Sequence, residues 1–404
     1  MKKFLTLDDV NVKSKVVGIR IDINSAIVDG KIECSERLLA HARTIKELVR
    51  KKAKVVVLAH QGRLGGKDYR ELDEHLVFLA KELKQKINYV DEVYGQKVVG
   101  AVHALKPGDV LVLRNIRAVA EEAQEKSPEE HAKSSIVAGL EPLFDFYVQD
   151  AFSTIHRSHA SMVGFYGIPN IAGRVVEKEL RALEKIEHPK RPFVFVIGGI
   201  KTDDVLELVE DMQGVDTFLV AGSVGELGLI AHGVNIGKKA QLLEKQGDFM
   251  YLPRIKRLLE RKDIVWMQDG AVNKKGKRMN VDFVKDEKIV KQEMVKDIGD
   301  VTIKSFSMII KKAKTVYMKG PVGAYEEKPL QKGTKALLEA ITHTRAFSLA
   351  GGGNTVSAMK MLVPRKKFSH VSLGGGALLA FLLKKKMPAL EILKAWKKNG
   401  IRKR

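Results

Sequence analysis

Two glycine triplets stand near the end of this 404-residue chain, in "AGGGNT" (350–355) and "SLGGGA" (372–377), each running into helix-like sequence. Bare backbone lets N–H groups approach an anion closely, and a helix start adds the positive end of a dipole. The same half carries "GGIK" (198–201) and "KGPVG" (319–323). The first half instead places Arg37, Arg63, Arg117 and Arg157, with His60, His156 and Arg20, at or just after the ends of apolar runs. Asp22, Asn24 and Asp150 share those positions. Arginine forks onto carboxylate or phosphate through two parallel bonds. Any one of these arginines alone is read more simply as the partner of a local acid. Any one glycine triplet alone is read equally well as tight helix–strand packing. Together they describe a basic cup in one half and a phosphate cradle in the other, which suits phosphoryl transfer between small anions. Neither a G-x-x-x-x-G-K-[ST] loop nor a G-x-G-x-x-G fingerprint is present.

Short β-branched runs must position these residues. Strands are expected over 15–23, 54–60, 109–115 and 146–152, and then over 193–199, 217–223, 263–270, 315–321, 346–353 and 370–376. Near-continuous apolar strands are what a parallel sheet buried on both faces requires. Amphipathic helices lie between them: Leu38, Ile45, Leu48 and Val49 share one face, and Leu76, Leu79, Ala80 and Leu83 another. The fold class is therefore α/β, with two doubly wound, Rossmann-like parallel-sheet domains joined by a hinge and the active site in the cleft between them. The expected domains are 1–172 and 193–384, joined by a charged helix at 173–192, with the segment from about 385 to 404 read as packing back on the first.

Composition narrows the class further. Lysine plus arginine number 71 against 49 acids, a formal charge of +22, which invites acidic partners. The charge is scattered and mixed with acids, which argues against nucleic acid; Lys394, Lys397, Lys398, Arg402, Lys403 and Arg404 form the best candidate patch for it. No apolar run is long enough to span a membrane, and no secretory leader is read at the start. Cys34, the one cysteine, suits a reducing cytoplasm and is expected to be a small buried hydrophobe.

"RIDINSAIVDGKI", "LAHQGR", "LRNIR", "YVQDAFSTIHRSHASMVGF", "RPFVFVIGGIKTDD", "KGPVGAYE", "AGGGNT" and "SHVSLGGGA" occur in the order and approximate spacing of phosphoglycerate kinases. The chain resembles that family over nearly its whole length, and its archaeal branch most. The resemblance implies transfer of a phosphoryl group between 1,3-bisphosphoglycerate and ADP, giving 3-phosphoglycerate and ATP, with Mg2+, in glycolysis and gluconeogenesis. It implies that Asp22, Asn24, His60, Arg63, Arg117 and Arg157 hold 3-phosphoglycerate, with Arg37 stabilising the transferring group. It implies a nucleotide site at Gly199, Lys201, Pro321, Glu326, Gly351, Gly352, Gly353, Asn354 and Thr355, with Lys201 catalytic beside Arg37. Four departures stand out: Val205 replaces a second lysine, Asn354 the aspartate that ligates magnesium in many members, Lys319 the asparagine of "NGP", and "NSA" the usual "NVP". Archaeal members commonly share the first two, so an active kinase is expected. The alternatives are a weakened paralogue that binds nucleotide or phosphometabolite, and a basic nucleic-acid-binding protein.

Overall fold

The computed structural model describes residues 3–364 and 367–399. These form two compact units: one runs up to Arg181 and takes in the residues from Lys384 on, and the other is Ala182–Leu383. The division falls inside the helix Arg174–Glu187.

The first unit contains β1 (Val16–Arg20), β2 (Ile27–Val28), β3 (Lys31–Ile32), β4 (Lys54–Leu58), β5 (Asn88–Val90), β6 (Val110–Leu113), β7 (Phe146–Gln149) and β8 (Asn170–Ala172). Among the described residues its main sheet has six strands, ordered β5-β6-β4-β1-β7-β8, all parallel. From β1 the chain adds β4, then the edge strand β5 and β6 between them, on one side, and β7 and β8 on the other, so the strand order reverses beside β1. Crossover helices bury both faces. Val17, Ile19 and Ile21 face one apolar cluster, while Tyr147, stacked 4.3 Å from Phe165, belongs to the other. The hairpin β2–β3 turns at Asp29 and Gly30, both with positive φ. Aspartate–glycine favours such a turn, a signal the sequence reading did not use.

The second unit contains β9 (Phe193–Ile197), β10 (Thr217–Val220), β11 (Ile264–Trp266), β12 (Gly270–Lys274), β13 (Lys277–Val281), β14 (Val295–Ile298), β15 (Thr315–Lys319), β16 (Phe347–Gly351) and β17 (His370–Val371). Its main sheet, β11-β10-β9-β15-β16-β17, is again parallel, and its order reverses between β9 and β15. Phe195 on β9 stacks 4.4 Å from Tyr317 on β15 beneath that point. A separate antiparallel sheet, β13-β12-β14, was not expected. Its hairpin turns at Lys275 and Gly276, and β13 reads "KRMNV", too polar to register as a strand.

The expected strands are all present, trimmed at their ends. Cys34 is corrected: it is exposed, on the loop after the β2–β3 hairpin, so it is not a core residue. The C-terminal helix Pro388–Asn399 packs on β8 and on the helix Ala160–Val163. Ala389, Leu390, Ile392 and Leu393 are buried there, and Trp396 Nε1 donates to the Tyr166 carbonyl at 3.1 Å. Leu393 is fully buried. Truncating it to alanine removes apolar contact and leaves a cavity, so Leu393→Ala should destabilise the first unit by about 2–5 kcal/mol. Urea unfolding of the full chain checks this; an unchanged midpoint would mean the helix does not stabilise that unit.

Candidate functional site

Open parallel sheets bind ligands beyond the carboxyl ends of their strands, where the strand order reverses. In the first unit, β1 leads to Asp22 and Asn24, β4 to His60 and Arg63, β6 to Arg117, and β7 to His156 and Arg157. The six residues from Asp22 to Arg157 assigned to the anion therefore share one sheet edge.

Asp22 is almost wholly buried. Its Oδ2 accepts from Arg37 Nη1 at 2.8 Å and from the Ser153 hydroxyl, and its Oδ1 accepts from the Asn24 amide at 2.9 Å. Burial alone would raise this carboxyl, but Arg37 and these hydrogen bonds bring it down to about 2. Arg37 sits in the first turn of the helix Glu36–Arg50, whose N-cap Ser35 accepts from the Leu38 amide. Asn24 Oδ1 accepts from the Gly62 amide at 2.9 Å and so ties the end of β1 to the loop after β4. Gly62 has φ +68°, and a Cβ there would lie 2.2 Å from the Asp68 carbonyl oxygen; only glycine serves. Buried Gln61 bridges that loop to Ser25, and buried Asn115 donates to the carbonyls of Gln61 and Arg70, both at 2.8 Å.

The arginines divide by role. Arg117 Nη1 donates to the Gly62 carbonyl at 2.8 Å, while its Nε is buried without a partner. Burial and the charges of Arg20, Arg157 and Arg63 push its pKa down. Arg63 and Arg157 form no ion pair among the described residues. The local-acid reading thus holds for Arg37, but not for these three. Arg20 is corrected. It is no rim residue: it is fully buried, donating to Ser161 Oγ at 2.8 Å and lying 3.8 Å from the buried carboxylate of Glu122. Arg20 Nη2 also donates to His60 Nδ1 at 3.0 Å, so neutral His60 carries its proton on Nε2. Burial and Arg20 hold His60 well below the usual histidine range. Asp150 is likewise structural: it pairs with His41 at 2.8 Å and accepts from the Val175 amide, at the start of the helix Arg174–Glu187.

Sequence reasoning missed Ser153, Gln61, Asn115, Glu122 and His159. His159 is buried beside the cluster, its Nδ1 lacks a partner, and burial with Arg20 pushes it down to about 3. The signal lay within "STIHRSHAS", where the polar residues fall too close together for one helix face.

In the second unit, β9 leads to Gly199 and Lys201, β15 to Pro321, and β16 to the first glycine triplet. The glycines prove to be of two kinds. A Cβ on Gly198 would lie 2.2 Å from the Pro321 carbonyl oxygen, on Gly320 2.2 Å from that of Gly198, and on Gly222 2.4 Å from that of Gly199. These three serve backbone packing where the strand order reverses. A Cβ on Gly351 would strike Leu378 at 2.4 Å. Gly353 and Gly375 meet nothing within 4 Å, and each stands at a helix start, that of Gly353–Leu362 and that of Gly376–Leu382. Thr355 is fully buried; its hydroxyl donates to the Gly351 carbonyl and accepts from the Gly320 amide, both at 2.8 Å, joining β15 to β16. Lys201, Asn354 and Glu326 are exposed, Pro321 is buried, and Val205 is packed into the unit's core. The neighbouring Glu327, by contrast, is tied to Lys296 at 2.5 Å.

The basic C-terminal patch is only partly described. Lys394 pairs with Glu391 at 2.9 Å, while Arg402, Lys403, Arg404 and the side chain of Lys398 lie outside the described residues.

Two parallel α/β units, one presenting arginines and the other open glycine backbone with lysine at its strand ends, define a phosphotransferase of the two-domain kinase type. The phosphoglycerate kinase family model matches residues 7–385. The chain is 40% identical over 396 residues to the phosphoglycerate kinase of Methanopyrus kandleri, covering 96% of this chain and 97% of that one. It is 39% identical to that of Saccharolobus solfataricus, covering 96% of each. The crystal structure of phosphoglycerate kinase from Pyrococcus horikoshii OT3 superposes with a TM-score of 0.89 at 33% identity, covering 98% of this chain and all of that one. The chain belongs to the phosphoglycerate kinase family.

Burial of neutral imidazole also sets an acid limit. His159 is held at about 3 and His75, fully buried behind Gln61, at about 4, against 6.5 unfolded. Below pH 6.5 the unfolded chain binds these protons first, so stability falls as pH drops toward 3. Asp22 adds a further loss below about 4, as its pairing with Arg37 is protonated away. The urea midpoint of the first unit should therefore fall from pH 6.5 to 4, and His159→Gln should flatten that slope. A slope unaltered by the substitution would contradict the assignment.

Proposed function

We infer that the chain works as a phosphoglycerate kinase, moving a phosphoryl group reversibly between 1,3-bisphosphoglycerate and ADP to give 3-phosphoglycerate and ATP. The observation that carries the residue assignment is the segregation of chemistry. Arginines without counter-ions cluster at the strand ends of the first sheet, and helix starts open to ligand stand at those of the second.

Arg63, Arg117 and Arg157 take the phosphate and carboxylate of 3-phosphoglycerate, with neutral His60 donating through Nε2 and Asn24 through Nδ2. Asp22 orients Arg37, which meets the transferring group. Gly199 and the start of the helix Gly353–Leu362, with Asn354, take the nucleotide phosphates, and exposed Glu326 takes the ribose. Lys201 neutralises the transferring group from the nucleotide side.

Mg2+ belongs to this reading as a partner of the nucleotide. Among the described residues no three His, Cys, Asp or Glu side chains cluster as a metal site, and Asn354 offers a neutral amide oxygen. That donor set suits an ion held chiefly by phosphates and water, as Mg2+ prefers. When bound, it neutralises phosphate charge; Asn354 is the side chain assigned to it. A role in glycolysis and gluconeogenesis and a cytoplasmic location follow from the same reading, the latter supported by the exposed thiol of Cys34. No described helix is long and apolar enough to cross a membrane.

Purified protein given 1,3-bisphosphoglycerate and Mg-ADP should form ATP. Nucleotide binding without ATP formation would instead mark the weakened paralogue that Val205 and Asn354 raise. Arg63→Ala, Arg117→Ala and Arg157→Ala should each weaken 3-phosphoglycerate binding by about 1.5–3 kcal/mol, the scale of a hydrogen bond to a charged group, and leave ADP binding in calorimetry unmoved. Equal loss of both ligands would overturn the division of substrates between units. Arg37→Ala and Lys201→Ala should lower kcat by about 100-fold or more, as for one lost transition-state donor; near-full turnover in either variant would remove it from the reacting centre.

A further inference from the structure

The second sheet edge holds a cation that the assignments so far leave unused. Lys319 is the last residue of β15, beside the point where the strand order reverses. Its carbonyl accepts from the Gly198 amide at 2.9 Å, and the following Gly320 amide donates to Thr355 Oγ1, so its backbone is fixed on both sides. The side chain is half-buried. Its ammonium has one hydrogen-bond partner, the Asp204 carbonyl at 3.5 Å, at the outer limit of such a bond. It forms no ion pair among the described residues.

A structural lysine in that position would be expected to reach an acid or water. Lys319 reaches neither Asp203, which pairs with Arg254 at 3.2 Å, nor the carboxylate of Asp204. Burial lowers its pKa and the charge of Lys201 lowers it further, while the charges of Asp204 and Glu207 act to raise it. Lys201 is the N-cap of the helix Thr202–Asp211, and the Lys319 ammonium lies against the Asp204 carbonyl in the first turn of that helix, so one exposed and one half-buried lysine belong to the same helix start. On that helix Val205 is buried and offers no charge. A half-buried ammonium without an ion pair is destabilising unless an anion shares its charge.

We propose that Lys319 is a further catalytic residue, contacting the phosphoryl oxygens at the nucleotide end of the transfer and forming with Lys201 a two-lysine clamp. The inference rests on the assignment of nucleotide to the second unit. In the transfer the bond from phosphorus to the acyl oxygen of 1,3-bisphosphoglycerate breaks and a bond to the terminal phosphate oxygen of ADP forms; the electron pair stays with the released carboxylate. Lys319 gives up no proton. It meets negative charge spread over the moving group, where a cation placed in advance has most effect. Its place at a strand end, braced by Gly198 and Thr355, provides that placement.

Lys319→Met, Lys319→Gln and Lys319→Arg test this in the full chain. The first two should lower kcat by about 100-fold and weaken ADP and ATP in calorimetry, while adenosine and 3-phosphoglycerate bind as before. Lys319→Arg should recover most of kcat. Lys319→Met should also melt at or above the wild-type temperature, since an unpaired half-buried charge is removed. A structural lysine would give the reverse, a lower melting temperature with kcat kept in what remains folded, and that result overturns the proposal. So does Lys319→Met or Lys319→Gln with kcat and ADP affinity within twofold of wild type. Wild-type protein that binds no ADP overturns the nucleotide assignment and this proposal with it; wild type that binds ADP while the variants are unaffected overturns this proposal alone.

Discussion

Positive charge is held together against its own repulsion at the strand ends of the first sheet. Arg20, Arg157 and Arg63 all bear on Arg117 there, and the buried acids that answer them are few. Glu122 is spent on Arg20 and Ser161, and Asp22 on Arg37 and Ser153. His60 and His159, neutral because they are buried among cations, add donors without adding charge. What keeps the cluster in place is backbone geometry: the Gly62 turn, the Asn24 and Asn115 clamps, and Gln61 beneath them. The rest of the unit, down to the C-terminal helix on β8, is the apolar mass that lets the edge exist.

The second unit solves a different problem by a different constraint. Beyond the ends of β9 and β15, the backbones at Gly198 and Gly320 touch with no room for a Cβ. This close crossing sets the end of β15, and through Thr355 it sets the start of the glycine triplet after β16. Bare backbone therefore does two jobs in one unit. At Gly198, Gly222 and Gly320 it permits packing, and at Gly353 and Gly375 it leaves amides open at helix starts. The first job makes the second accurate, because the open loops are anchored on the packed ones.

Much of this was legible in the residues. Valine-rich runs buried on both faces declare parallel strands, and the order of those runs brings Arg63, Arg117 and Arg157 to the strand ends of one sheet. What stayed hidden has identifiable causes. The strands β5 and β8 are three residues each and carry asparagine, so no apolar run marks them. The small antiparallel sheet is half-exposed and lysine-rich. Arg20 was misread because its type suggested a rim, whereas its setting in "VVGIRIDI", apolar on both sides, belongs to a strand interior. The two kinds of glycine are identical as letters; only the atoms that a side chain would strike tell them apart. Cys34 misled by its usual habit, since its loop simply leaves it outside.

In the assignment proposed above, the division between arginine and lysine follows from what each substrate does. 3-Phosphoglycerate is small, with its charged groups at fixed separation, and it must be oriented before reaction. Planar guanidinium forks are suited to that, since each fixes two oxygens at once. The transferring phosphoryl group changes position and charge distribution during the reaction, so rigid two-point recognition would favour one stage over the other. A compact ammonium on a flexible stem can follow it. Lys201 is exposed at a helix start, whereas Lys319 is half-buried on a braced strand end. In the proposed clamp the exposed cation follows the group while the braced one holds the position it leaves. A helix whose next turn presents buried Val205 then needs no charge of its own, because the neighbouring strand already brings one.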